Sequence, residues 1–202
     1  MDTKKLILEK TLKLMIKKQN SLVSIREISD ATGIATGGIY YYFPSKKDIY
    51  NEITERYFVD YVKFDIDKLR QINGNAKEKI HDVMAEIFKH MQAGIKIETI
   101  EDVDYREVLG VLTANGFAYE NSPEIYQIQI KDLKDLFTEI IREGQNNRQI
   151  RQDIPTEDLA DSLIIMFMGI QYNWEIYWTE DMISTFEDHF DLEWEKIRFR
   201  EY

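Results

Sequence analysis

The sequence contains no cysteine, which excludes disulfides, thiolate nucleophiles and cysteine-ligated metal or iron–sulfur sites. It has only 3 prolines and 9 glycines, too few turn-forming residues for a β-sandwich. The longest apolar run, Leu163 to Met168, falls far short of the roughly 20 residues that cross a bilayer, and the N-terminus lacks a signal-peptide pattern. We therefore expect a helical protein of the cytoplasm with no membrane partner.

Positively charged residues are outnumbered by negatively charged ones, except near the N-terminus. The whole chain carries a net charge of -11. Residues 1–50 nevertheless hold 9 basic against 5 acidic residues, a net +4, whereas the remainder holds 17 against 32, a net -15. This asymmetry predicts a polyanion as the partner of the N-terminal segment alone. Chance clustering of surface lysines is the alternative.

What the sequence does contain is apolar residues at helical spacing. Hydrophobic residues make up 44% and charged residues 31% of the 202 residues, which suits one large domain or a small domain joined to a larger one. Periodicity and capping signals predict an all-α fold of about nine helices. The expected helices span residues 3–18, 25–33, 36–42, 45–69, 76–97, 104–114, 123–143, 156–178 and 180–200.

Two short helices near the N-terminus have the arrangement of a helix-turn-helix. Ser24 and Glu27 have the spacing of a capping box that opens the first, and Gly33 suits the left-handed backbone that ends it. The second helix spans Thr36–Tyr42 after a connection of about three residues. In this plan the second helix enters the major groove of DNA.

A family resemblance rests on the residues around this motif. The matching residues are Ile7-Leu8, Leu12-x-Leu14-Met15, Ser24-Ile25-Arg26-Glu27-Ile28, Ala31-Thr32-Gly33-Ile34 and Gly37-x-Ile39-Tyr40-Tyr41-Tyr42-Phe43-x-x-Lys46-x-x-Ile49. Residues 7–53 thereby resemble the N-terminal domain of the tetracycline-repressor (TetR/AcrR) family of bacterial transcriptional regulators. The resemblance implies a helix-turn-helix DNA-binding domain at residues 1–45 and a helical effector-binding and dimerisation domain at residues 46–202.

The candidate DNA contacts lie on the second helix of the motif and at two neighbouring helix starts. Tyr40, Tyr42 and Lys46 carry hydroxyl and ammonium donors that suit phosphate contacts, although core packing is the alternative for the tyrosines. Thr36 and Tyr41 are expected at base edges. The full set is Ser24, Arg26, Thr36, Gly38, Tyr40, Tyr41, Tyr42 and Lys46.

Three departures from the family pattern affect this motif. Ala35 replaces the usual capping Ser or Thr of the recognition helix, so Thr36 is a candidate substitute cap. Gly38 stands where a small hydroxyl residue is common, which removes a base-facing side chain. The recognition helix also has no Arg, Asn or Gln for bidentate base contacts, so specificity is expected to lean on DNA shape and on Arg26.

The acidic remainder of the chain predicts a homodimer. Residues 163–170 are apolar on every side of a helix, which therefore needs cover all round, and the last helix carries a second apolar stripe. In the resembling family the last two helices form a four-helix dimer interface. The predicted interface residues are Ile165, Phe167, Ile183, Phe186, Phe190 and Trp194; a monomer with both helices buried internally is the alternative.

Methionine and aromatic residues of the middle helices are candidates for lining an effector pocket, because such side chains adapt to varied apolar ligands. Core packing explains the same residues equally simply. The family resemblance implies a pocket in this region. The candidates are Met84, Phe88, Met91, Phe117, Tyr126, Met166 and Trp174.

The sequence offers little support for catalysis or metal binding. His81, His90 and His189 are too dispersed for a metal triad, and no phosphate loop or nucleophile motif is present. We expect no enzymatic activity and no cofactor. The leading hypothesis is a ligand-responsive repressor that binds a palindromic operator as a dimer and is released by a mostly apolar small molecule. The alternatives are a DNA-binding regulator controlled by a protein partner and a helical lipid-binding or interaction protein with no DNA role.

Overall fold

A computed structural model describes residues 2–18, 23–59, 63–93, 107, 110–111, 122–177 and 181–201. In these ranges the chain folds into nine α-helices and one π-helix, which confirms the predicted all-α class. The α-helices are α1 (Thr3–Lys17), α2 (Ile25–Thr32), α3 (Thr36–Tyr42), α4 (Lys46–Ile53), α5 (Ile66–Leu69), α6 (Ala76–Ala93), α7 (Ser122–Asn146), α8 (Thr156–Tyr177) and α9 (Met182–Ile197), and the π-helix is Thr54–Val59.

Side-chain caps set the starts of the N-terminal helices. The Ser24 hydroxyl accepts from the Glu27 amide while Glu27 accepts from the Ser24 amide, so the predicted capping box forms at α2. Ser45 and Asp48 form the same reciprocal pair at α4. Each box satisfies amides that would otherwise lack partners at a helix start. Gly33 has a φ of 71°, the left-handed conformation that glycine adopts without a Cβ clash, and it ends α2.

The helix predicted over residues 45–69 is not one continuous α-helix. α4 ends at Ile53 and passes into the π-helix, and residues 63–65 lie outside any helix. The Asp65 side chain accepts from the Lys68 amide at 3.0 Å and caps α5, so a new helix begins at Ile66. Residues 45–69 contain no glycine or proline. The helix nevertheless breaks in this range, because a side-chain cap can also mark a helix boundary.

Other predicted boundaries lie within a few residues of those observed. α3 coincides with its prediction. α9 begins at Met182 rather than at residue 180, because Asp181 is its N-cap and accepts from the Ile183 amide. Most of the helix predicted at 104–114 falls outside the described residues. None of the described helices is long and apolar enough to cross a membrane.

The described residues belong to two compact units, one built mainly from residues 2–59 and the other from 63–93 and 126–201. The first therefore extends past the predicted domain boundary at residue 45 and includes α4. In this unit Lys4 pairs with Glu52 at 2.6 Å, and the Val23 amide donates to the Tyr50 hydroxyl at 3.1 Å. Its buried side chains include Ile7, Leu8, Leu12, Ile28, Ile39, Phe43, Ile49 and Ile53.

Stacked aromatic rings form the core of the second unit. Phe88 of α6 stacks on Phe167 of α8 with ring centroids 5.2 Å apart. Phe88 also lies 5.3 Å from Phe186 of α9, which in turn lies 5.3 Å from Phe190. Offset and tilted arrangements at these separations are favourable beyond the area that they bury. The four rings thus join three helices of one chain.

This core corrects the predicted dimer interface. Phe167, Phe186 and Phe190 are buried in the protomer, at 1%, 0% and 3% exposure, so they are not available to a partner. The apolar stripe on the last helix faces its own chain, a possibility that periodicity alone does not distinguish from an intersubunit seam. Of the other predicted interface residues, Ile165 is 70% exposed.

Candidate nucleic-acid interface

The turn between α2 and α3 is held by short side-chain hydrogen bonds. The Ser29 hydroxyl donates to the Ile34 carbonyl at 2.7 Å, and the Thr32 hydroxyl donates to the Ile28 carbonyl at 2.7 Å. The Ile34 amide donates to the Thr32 hydroxyl at 3.3 Å. These bonds fix the angle at which α3 leaves α2, as a helix-turn-helix requires.

Gly38 allows α3 to approach the turn closely. A Cβ at this position would lie 2.9 Å from the Cγ2 atom of Ile34, which is below normal van der Waals contact. The departure from the family pattern at residue 38 therefore has a packing role in this chain. That Gly38 faces base edges stays a prediction.

The recognition helix buries one side and exposes three tyrosines. Ile39 is buried, whereas Tyr40, Tyr41 and Tyr42 are 48%, 83% and 38% exposed. Tyr41 and Tyr42 meet edge to face at 5.2 Å. Large exposed aromatic side chains with phenol hydroxyls form a surface that can contact both phosphates and base edges. The core alternative for Tyr40 and Tyr42 therefore does not fit their exposure, whereas Phe43 is buried in the core.

The start of α3 lacks a side-chain cap. Ala35 occupies the N-cap position and no side chain caps the helix, Thr36 included. Thr36 itself is exposed. Its hydroxyl thus stays on the candidate DNA-facing surface and is not used to close the helix.

The remaining predicted contacts lie at the starts of α2 and α4. Arg26 is exposed, whereas the Ser24 hydroxyl is engaged in the capping box. The Lys46 ammonium lies 5.7 Å from the centre of the Tyr50 ring, a cation–π contact that steadies its stem. Lys47 is exposed beside it in the first turn of α4 and belongs in the candidate interface, although the prediction left it out. The position of Lys47 directly after Lys46 in the sequence could have indicated that it belongs to the same surface.

Two carboxylates near this surface, Glu27 and Asp48, accept hydrogen bonds from neighbouring groups. Glu27 accepts a hydrogen bond from Lys18, from the Ser24 amide and from the Ser24 hydroxyl, and these bonds lower its pKa to about 2. Asp48 is engaged by the amide and hydroxyl of Ser45. These two carboxylates serve as helix caps and hydrogen-bond acceptors beside the exposed side chains of Arg26 and Lys47.

The predicted pocket residues that the structure describes are buried or half-buried. Met84, Phe88, Met91 and Trp174 are buried, and Met166 and Tyr126 are half-buried. Phe117 lies outside the described residues. Three surface grooves formed by described residues are lined by other side chains. The pocket assignment stays a prediction.

No group of three or more histidine, aspartate or glutamate side chains that could hold a metal ion occurs in the part of the chain that the structure describes. The site therefore consists of donors on a rigid helix pair, without a cluster of metal-ligating side chains among the described residues. The short helix α3, with its three exposed tyrosines, follows α2 after a tight turn and has the arrangement of a helix-turn-helix, in which the second helix enters the major groove of DNA.

Comparisons with known proteins match the N-terminal domain to a family model. Residues 7–53 match the model described as bacterial regulatory proteins, tetR family. A search of curated protein sequences found no match. Residues 7–53 thus match the DNA-binding domain of the tetR family of bacterial regulatory proteins, and the described helices form a TetR-like all-α fold.

Solved structures share the fold over nearly the whole chain. NalD of Pseudomonas aeruginosa, the secondary repressor of a multidrug efflux pump, has a TM-score of 0.67 at 16% identity, covering 99% of this chain and 97% of that one. The ketosteroid regulator KstR2 of Mycobacterium tuberculosis has a TM-score of 0.64 at 12% identity, with coverages of 99% and 96%. A Saccharomonospora viridis regulator in complex with choline has a TM-score of 0.63 at 22% identity, with 98% of each chain covered.

Proposed function

We propose that the protein is a repressor that binds a palindromic operator as a homodimer and leaves it when a small molecule binds the acidic part of the chain. The observation that carries this proposal is the exposure of Tyr40, Tyr41 and Tyr42 on a recognition helix next to Lys46 and Lys47. A monomer gains nothing by exposing three large rings on one short helix, whereas a DNA duplex offers acceptors for their hydroxyls.

The contacts divide into two kinds. Tyr40, Tyr42 and Lys46 are assigned to phosphates and position the helix, whereas Thr36 and Tyr41 are assigned to base edges. Tyr41 is the most exposed of the tyrosines at 83%, which suits the side chain that reaches deepest into the groove. Because no Arg, Asn or Gln accompanies it on α3, few direct readout contacts are available and DNA shape carries part of the specificity.

A face of α8 supports the homodimer. Ile165, Met168 and Tyr172 are 70%, 40% and 62% exposed and recur at the helical spacing of i, i+3 and i+7. Leu192 of α9 is 59% exposed. We assign this face, together with the half-buried Ile183 and Trp194, to the second copy. A dimer must hold its two recognition helices about 34–36 Å apart, or a multiple of one helical turn, to read two half-sites.

The proposed chemistry of the effector rests on the net charge of residues 51–202 and on the type of side chains predicted to line the pocket. Residues 51–202 carry a net charge of -15, and the predicted pocket residues are methionines and aromatics. A mostly apolar effector, aromatic or cationic, fits both features. The related fold in complex with choline supports the cationic choice. The effector releases the protein from DNA if it prefers a conformation in which the two recognition helices do not match the half-site spacing. To shift the ratio of this conformation to the DNA-binding one from 1:99 to 99:1, the effector must bind it more tightly by about 5.5 kcal/mol.

Two alternative functions make different demands on the exposed surface of α3. Regulation by a protein partner in place of a small molecule leaves the DNA contacts unchanged. A lipid-binding or interaction protein with no DNA role disagrees with the exposed tyrosines of α3, since membrane-active helices place lysines and apolar residues on opposite faces of a longer helix.

The test is binding to duplex DNA that contains the gene's own upstream region, compared with a scrambled duplex of equal length. We expect the wild-type dimer to prefer the upstream region, and we expect Tyr41→Ala and Thr36→Ala to reduce that preference by about 1–3 kcal/mol. Ile128→Ala serves as the control, because Ile128 is an exposed apolar side chain of α7. Equal binding of both duplexes by the wild type, with Tyr41→Ala unchanged, would refute DNA readout by α3.

A further inference from the structure

His81 lies between two helices with a carboxylate at each ring nitrogen. Its Nδ1 atom is 2.8 Å from an Asp82 carboxylate oxygen on α6. Its Nε2 atom is 3.0 and 3.1 Å from the two carboxylate oxygens of Glu187 on α9. The ring is thus hydrogen-bonded at both ends, and the Glu187 contact joins α6 to α9 across 106 positions of sequence.

Carboxylate oxygens only accept hydrogen bonds, so each ring nitrogen that faces one must carry a proton. A neutral imidazole has one N–H group and can donate only once. In the neutral form a nitrogen lone pair would therefore face a carboxylate, which is repulsive. The geometry consequently fits the doubly protonated, positively charged ring.

The surroundings favour the charged ring as well. The His81 ring lies 5.2 Å from Phe186, in a tilted arrangement, and 5.0 Å from Phe190, in an edge-to-face arrangement, both on α9. Burial of the ring lowers its pKa, but the hydrogen bonds and charges of Asp82 and Glu187 outweigh this effect, so the pKa of His81 lies above its ordinary value.

Other charged groups nearby are engaged with each other. On one side Lys77 of α6 pairs with Asp191 of α9 at 2.7 Å, and Asp191 adds negative charge near His81. On the other side Lys68 of α5 pairs with Glu86 of α6 at 2.9 Å. Lys89 of α6 lines the same surface groove as His81. The direct neighbours of the ring are therefore two carboxylates, and the nearest cations are held in other pairs or lie further along the groove.

We propose that His81 is a pH-sensitive latch, which in its charged form holds α9 against α6 by donating to Asp82 and Glu187 at once. This latch, defined as His81, Asp82 and Glu187, is independent of the DNA-binding and effector roles proposed above. A group whose pKa is higher in the folded than in the unfolded chain stabilises the fold fully below about pH 6.5, the unfolded value. That stabilisation is lost as the pH rises through the folded pKa.

The direct test is an NMR titration of the His81 ring in the full-length protein. We expect both ring nitrogens to show the imidazolium signature at pH 6.5. We expect Glu187→Gln to lower the midpoint of the His81 titration, because a neutral amide no longer favours the charged ring. Glu143→Gln is the matched control, since Glu143 accepts a comparable bond from Lys79 at 2.7 Å across α6 and α7. A neutral ring at pH 6.5, or equal midpoints in the wild type and Glu187→Gln, would overturn the proposal.

The second readout is thermal unfolding between pH 6 and pH 8.5. The contacts are partly exposed, so the effect is small, and we expect the wild-type Tm to fall by about 2–4 °C more than that of His81→Gln over this range. The glutamine keeps a single amide donor and does not titrate. Identical pH profiles for the two proteins would also overturn the latch. Because the NMR titration uses variants that keep His81, it remains decisive if His81→Gln does not fold.

Discussion

The two compact units are held together by different means. In the N-terminal unit, the starts of α2 and α4 and the turn before α3 are set by caps and turn bonds between residues three to five apart, such as Ser24 with Glu27 and Ser29 with Ile34, in addition to a buried apolar core. In the other unit, longer helices are joined by rings and ion pairs from distant positions, such as Phe88 with Phe186 and Lys79 with Glu143. The caps and turn bonds of the N-terminal unit do not involve the tyrosines of α3, which stay exposed. The core of the other unit, in contrast, buries its aromatic rings.

The largest effect is expected where the aromatic core is opened. Phe88 is fully buried and contacts rings on α8 and α9, so Phe88→Ala should cost about 3–5 kcal/mol of unfolding free energy. Met168→Ala, on the exposed face of α8, should change it by less than about 0.5 kcal/mol. Chemical denaturation of both variants measures the difference. Equal losses would mean that the aromatic stack does not carry the stability of this unit.

A smaller effect is expected at the exposed face of α8. Ile165→Glu places a charge in the proposed dimer seam and should weaken dimerisation by at least about tenfold, or 1.4 kcal/mol. Ile128→Glu makes the same change at another exposed isoleucine and should leave the dimer intact. Sedimentation or light scattering over a concentration series distinguishes the two variants. A wild-type dimerisation constant for Ile165→Glu would move the interface to another surface.

The smallest effects are expected from the caps of the N-terminal unit. Ser24→Ala removes the capping box of α2 and should cost about 1 kcal/mol. Ala35→Ser supplies a cap that α3 lacks, at a position whose φ of -56° and ψ of 147° already suit one, and should add up to about 1 kcal/mol. Thermal unfolding of the matched pair gives opposite shifts if local capping governs this unit. A destabilising Ala35→Ser would show that the open start of α3 has another role.

The contrast between the units also explains what the sequence could predict. The capping boxes, the Gly33 turn and α3 were read correctly because each depends on residues close in sequence. The exposure of Tyr40 and Tyr42 followed from the same motif. These features are local, so one sequence without relatives was sufficient to place them.

Features that depend on long-range packing were not predictable in the same way. The apolar stripe with Phe186 and Phe190 was read as an intersubunit seam, but its periodicity holds equally for a helix packed on its own chain. The prediction of one helix over residues 45–69 was wrong at residues 63–65, which lie outside any helix although no glycine or proline is present there. The His81 and Glu187 contact joins residues 106 positions apart, and neither position carries a motif.

The most direct test of the account is the salt dependence of binding to the upstream duplex. The wild type should show a steep linear fall of log affinity with log salt concentration, with a slope proportional to the number of phosphates contacted. Lys46→Ala should reduce the slope by about one unit for each bound protomer, whereas Lys131→Ala, an exposed lysine of α7, should leave it unchanged. A flat wild-type slope, or a slope that Lys46→Ala does not alter, would contradict the assignment of α3 and the start of α4 to the DNA surface.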